Sequence, residues 1–208
     1  MSLPQNNLQN RQAIEAVLRE AGIYNGTSTR AASLRAETDS ETDDSALDWI
    51  LTTELPAVVW DWERWEFVNE VLLADGMMIP ASGQVPLLDS HKRNSALDVI
   101  GHVRDFAEAM AGEYPARSGK VRFAADETSQ IVKQKIIDKH ITDGSVGYQV
   151  TKSIWVPEEM TVTVGGRTFT GPLKVSSEWS LKEFSITPIG ADSLAKKIRR
   201  LCGGSTRR

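Results

Sequence analysis

Cysteine is all but absent. Cys202 stands alone in 208 residues, which excludes an internal disulfide and a cysteine-rich zinc site. Histidine is nearly as scarce, and His91, His102 and His140 form no metal-spaced pair, so neither a metal nor another cofactor is implied. No apolar run approaches the roughly 18 residues that a membrane-crossing helix needs. The opening Met1-Ser2-Leu3-Pro4-Gln5-Asn6-Asn7 lacks the basic and apolar regions of a secretion signal. A cytoplasmic protein with no membrane partner is expected. A net charge of −4 argues against general nucleic-acid binding along the chain. No segment repeats with the period of a solenoid or propeller.

What is present suits one compact domain with appendages: 40% hydrophobic and 25% charged residues are ordinary for a globular chain. Residues 1–50 read as an N-terminal helix and an acidic flexible linker. Ile14, Val17, Leu18 and Ala21 fall at helical spacing before Gly22. From Asn25 to Asp48, Ser, Thr, Ala and acidic residues dominate, leaving little apolar surface to bury. Residues 51–191 carry the folded domain. Residues 192–208 form a basic tail with Lys196, Lys197, Arg199, Arg200, Arg207 and Arg208, either simply solvated or a docking tail for an acidic partner. Cys202 lies in that tail with no histidine nearby in sequence, which argues against a thiol nucleophile.

Within the central region, β-prone runs outnumber helical ones. Ala57–Trp62, Phe67–Leu73, Gln84–Asp89, Leu97–Val103, Val121–Ala124, Tyr148–Val156, Met160–Val164, Thr168–Val175 and Ser180–Thr187 read as strands. Gly165-Gly166 supplies a hairpin turn. Helices are expected over Asp105–Ala111 and from Thr128 to His140. Trp60, Trp62 and Trp65 are expected to pack in the core or at its rim rather than to stack on a ligand. The fold expected is mixed β with flanking α, a mainly antiparallel, closed or nearly closed β-barrel with surrounding helices.

The chemistry is sought around Asp143-Gly144-Ser145-Val146-Gly147, where a serine enters a strand between glycines that leave its Oγ bare. A serine nucleophile needs a base. His140 ends a helix and His102 follows Gly101 in a strand, both ordinary structural settings. His91 sits at a strand end among polar neighbours, where catalytic groups are commonly presented, and is preferred by position. A carboxylate must hold the imidazole, and Glu178 and Glu183 are both candidates. Period-2 alternation sends Phe184 and Ile186 to one face and Glu183, Ser185 and Thr187 to the other.

The ordered set Val71-Leu72-Leu73-Ala74-Asp75-Gly76, Leu87-Leu88-Asp89-Ser90-His91, Gly119-Lys120-Val121-Arg122-Phe123, Asp143-Gly144-Ser145-Val146-Gly147-Tyr148 and Leu181-Lys182-Glu183-Phe184-Ser185-Ile186-Thr187-Pro188 resembles the prohead (capsid maturation) proteases of tailed bacteriophages, relatives of herpesvirus assemblins. The resemblance runs from about Leu55 to Ala191. It implies a serine endopeptidase whose triad is His91, Ser145 and Glu183. It also implies scaffold protein and the N-terminal segment of the major capsid protein as substrates, cut inside the procapsid in the host cytoplasm, with autoproteolysis, possible self-association and no need of nucleic acid. The herpesvirus type uses a second histidine, and this chain has none after Ser145. Ser90-His91-Lys92 also departs from the family's Asn-His-Asp wording. A non-catalytic scaffold or capsid component with the same fold is the rival reading. An esterase of the α/β-hydrolase type is disfavoured, because the glycines around Ser145 do not form a Gly-x-Ser-x-Gly elbow.

Overall fold

The computed structural model describes residues 28–32 and 46–188. The helix expected before Gly22, most of the acidic linker, and the basic tail with Cys202 lie outside the described residues.

The sheet is organised around β12 (Leu173–Thr187), its longest strand. Along one edge β12 pairs antiparallel with β9 (Asp143–Val156) over almost its whole length. Its other edge takes three short parallel partners in turn. These are β4 (Glu66–Leu72) at Lys174–Ser176, β5 (Met77–Met78) at Trp179–Ser180, and β6 (Gln84–Asp89) at Phe184–Ile186. From β6 the sheet continues antiparallel through β7 (Val99–Ala111) and β8 (Tyr114–Phe123) to β2 (Ala46–Thr53). β3 (Ala57–Asp61) forms a hairpin with β4, and β1 (Ser28–Ala32) lines the outer edge of β9. These ten strands make one mixed sheet. β10 (Thr161–Val164) and β11 (Arg167–Thr170) form a separate hairpin about the Gly165-Gly166 turn. The described residues are thus mostly β, with one α-helix, α1 (Glu127–Ile137). Asp126 starts that helix by accepting the N–H of Ser129 at 3.0 Å, an N-cap that satisfies a donor with no partner inside the helix.

Several elements differ from the sequence reading, among them β1, a strand paired with β9 inside the stretch expected to be a flexible linker. Asp105–Ala111 continues β7 instead of forming a helix. Its Ala, Glu and Met residues favour a helix in isolation, but Ala107–Ala111 find ladder partners on Ser118–Tyr114, and tertiary pairing outweighs propensities of a few tenths of a kcal/mol. The folded region also starts earlier than residue 51: β2 begins at Ala46 and includes Asp48, which the acidic composition had assigned to the linker.

One apolar cluster draws on β2, β4 to β9, β12 and Ile136 of α1. Trp49 meets Phe184 edge-on at 5.5 Å between centroids, and Tyr148 meets Trp179 likewise at 5.8 Å. A second cluster of Val71, Leu73, Val156, Leu173 and Val175 lies under the β10–β11 hairpin. Trp60, Trp62 and Trp65 are half-buried and stack edge-to-face with one another, and Phe67 packs on Trp60. Two buried acids are matched by donors. Glu70 accepts from Tyr148 Oη and, at 2.6 Å, from Ser176 Oγ, while Asp61 accepts from Lys174 Nζ at 2.8 Å.

A bulge in β12 sets up the site. Leu181 pairs with Tyr148 and Glu183 with Gly147, so Lys182 is an extra residue with no opposite number. Upstream of it Trp179 and Leu181 join the core; downstream Phe184 and Ile186 do. The bulge therefore turns Glu183, Ser185 and Thr187 to the face away from that core.

Candidate active site

His91 stands on a two-residue reversal at the end of β6. Ser90 and His91 have φ of 52° and 60°, and Lys92 N–H donates to Asp89 O at 3.0 Å, the pattern of a type I′ turn. Each non-glycine residue in this region costs on the order of 1–2 kcal/mol, so something must hold it. β12 does: Ser90 N–H donates to Ile186 O at 2.9 Å and His91 N–H to Ser185 Oγ at 3.0 Å. Asp89 ties the turn from the other side, accepting from Ser90 Oγ at 2.8 Å and Lys92 Nζ at 2.6 Å. Burial works against the Asp89 charge, but the bonds from Lys92 and Ser90 outweigh it and keep this carboxyl below the usual range.

Glu183 is 3% exposed. Its Oε1 lies 2.7 Å from His91 Nδ1 and its Oε2 accepts from Ser185 Oγ at 2.8 Å. An ionised carboxylate has no proton to give, so Nδ1–H donates and the neutral ring keeps Nε2 as an acceptor. The carboxylate lies across Gly147, where a Cβ would come within 2.1 Å of Oε1.

Ser145 pairs with Ser185 across the β9–β12 ladder, which puts the two side chains on one face with Cβ atoms about 5 Å apart. Glu183, opposite Gly147 two pairs further on, belongs to the same face. Ser145 is 4% exposed, not bare, and among the described residues no hydrogen bond joins its Oγ to His91. The flanking glycines serve other side chains. A Cβ on Gly144 would lie 2.2 Å from Phe184 Cζ on the core face, and Gly147 makes room for Glu183. On its outer edge β9 carries β1, with Ala31 opposite Ser145.

The structure thus joins His91 to Glu183 and sets Ser145 on the same sheet face as Glu183, opposite Ser185. The alternatives lie elsewhere. Glu178 is exposed and pairs with Lys152 Nζ at 3.2 Å. His140 is exposed after α1. His102 lies on β7, where burial first, and then Arg104 and Arg122, push its pKa down. Ser185 and Gly147 were not singled out by sequence reasoning. The alternation that put Ser185 on the Glu183 face was the available signal; what Gly147 accommodates was not readable, because its occupant comes from another strand. Among the described residues no three His, Cys, Asp or Glu side chains gather as metal ligands would, and no helix is long and apolar enough to cross a membrane.

No family model, curated protein or solved structure matches this chain.

Proposed function

We propose that this chain is a serine endopeptidase using Ser145, His91 and Glu183. One observation carries the reading: the 2.7 Å contact between His91 Nδ1 and a buried carboxylate, made on the sheet face that holds Ser145. Ser145 Oγ attacks the peptide carbonyl carbon and its proton passes to His91 Nε2. The C–N bond breaks as that proton is delivered to the leaving amine, and water then releases the acyl group by the same route. Glu183 keeps the ring in its Nδ1–H form and stabilises the imidazolium. The Ser145–His91 hydrogen bond forms when substrate is bound, since catalytic hydrogen bonds are often long without substrate and tighten in the Michaelis complex. In the same reading the ten-stranded sheet is the wall of a nearly closed barrel. Its single main core and the approach of β2 to β1 and β9 support that shape.

The motif order that resembles prohead proteases supplies the substrate class: scaffold protein and the N-terminal segment of the major capsid protein, cleaved within the procapsid in the host cytoplasm, together with autoproteolysis. Co-expression of the Ser145→Ala variant with these proteins tests it. The expected result is a folded variant and intact substrates by mass spectrometry; normal processing eliminates the mechanism. A non-catalytic capsid component is the second reading, favoured by the missing Ser145–His91 bond. Labelling by a fluorophosphonate that needs both Ser145 and His91 supports the enzyme, and no labelling of the wild type supports the second reading.

A further inference from the structure

Ser185 lies directly across from Ser145, yet the two hydroxyls differ in what they touch. Ser185 is fully buried and engaged on both sides: its Oγ accepts the main-chain N–H of His91 at 3.0 Å and donates to Glu183 Oε2 at 2.8 Å. A serine hydroxyl has one proton and two lone pairs, and both bonds respect that polarity. With its proton committed to a carboxylate, Ser185 is not placed to act as a nucleophile. It is instead the atom where three strands meet: β6 through the His91 turn, β12 through its own backbone, and β9 through the Ser145 pairing.

We propose that Ser185 is a positioning residue for the His91–Glu183 pair. Its hydroxyl fixes the outer carboxylate oxygen, so that Oε1 is turned to the imidazole, and it fixes the main chain that carries the imidazole. Neither partner is held so well without it. The Glu183 side chain has rotatable bonds and lies over Gly147, which has no side chain to restrain it on that side. His91 sits in a left-handed conformation that persists only where its surroundings enforce it. Outer supports of this kind typically matter ~10- to 100-fold in activity. The claim about ring orientation stands on geometry alone; the claim about rate rests on the proposed hydrolase reading.

The test uses the full chain and its Ser185→Ala and Ser185→Cys variants, with unfolding curves as the fold control. Ring ¹⁵N signals of His91 report which nitrogen carries the proton. Wild type is expected to show one tautomer protonated at Nδ1, and each variant a mixture of the two. In a peptide-cleavage assay kcat is expected to fall ~10- to 100-fold with KM nearly unchanged. Folded variants whose His91 signals match wild type overturn the proposal, whatever their rate. Should the Ala variant not fold, the near-isosteric Cys variant carries the same measurement. A wild type that cleaves no peptide sinks the hydrolase reading and leaves the ring signals to decide the role of Ser185.

Discussion

A methyl group at residue 147 would land 2.1 Å from Glu183 Oε1, 2.6 Å from its Cδ and 2.7 Å from its Cγ. All three are atoms of one flexible side chain, so Gly147→Ala is expected to fold while the carboxylate moves off His91. A displacement of about 1 Å at such a group can cost ~100-fold in rate. Peptide-cleavage rates beside an unfolding curve check this, and a folded variant with wild-type rate removes Gly147 from the site. The neighbouring glycine answers to a different side chain: at residue 144 a methyl group would meet the Phe184 ring, itself wedged against Trp49. Gly144→Ala is therefore expected to destabilise the whole chain, by about 1–3 kcal/mol for overpacking, read as a lowered denaturant midpoint. From the sequence, both glycines looked like a means of baring Ser145. The residue types were legible, but what fills the space above each was not, because the occupants sit on β12.

Two short devices fix the site at the level of elements. The Asp89–Lys92 turn puts two non-glycine residues at positive φ. Ser90→Gly should be tolerated, whereas Ser90→Val, β-branched in the left-handed region, should cost about 1–2 kcal/mol and lower the cleavage rate by swinging His91. The bulge at Lys182 matters by its count and not by its side chain, which is exposed. Lys182→Ala is expected to leave stability and activity near wild type. Deleting residue 182 would leave Leu181 opposite Tyr148 and Glu183 opposite Gly147 in plain alternation, so Glu183 still faces away from the core and only the local twist of the bulge is lost. Retained cooperative unfolding with a lowered cleavage rate is the expected readout, since the bulge's added twist is lost where Glu183 meets His91. Alternation alone had shown Phe184 and Ile186 opposite Glu183 and Ser185, so this local pattern was legible before any coordinates. The bulge was not, because it is defined by pairing with β9. Nor was the strand at Asp105–Ala111, whose composition favours a helix until β8 offers it a ladder.

On the scale of the whole molecule, buried acids tie stability to pH. Burial disfavours the Asp61 charge, but the bond from Lys174 and the backbone N–H groups of Arg64 and Glu63 prevail and lower its pKa below 3.8. A carboxyl depressed in the folded state stabilises the fold above its unfolded pKa, and that contribution disappears as pH falls through the folded value. Asp61→Asn should therefore cost about 2 kcal/mol near neutral pH, roughly 6 °C in Tm. The difference from wild type should shrink below pH 3.8, in thermal melts across that range. The strand-rich class was legible from short β-prone runs and turn residues, whereas the order of strands was not, since β12 gathers partners from far apart in the chain. That placement has a consequence for how the molecule is made. β4, β5 and β6 are synthesised early and β9 later, but each waits for Leu173–Thr187 as a shared neighbour. Such distant pairings make for slow assembly. A nascent chain still lacking those residues would have neither Glu183 nor the strand that steadies His91, so any cutting activity must begin only after translation has passed them.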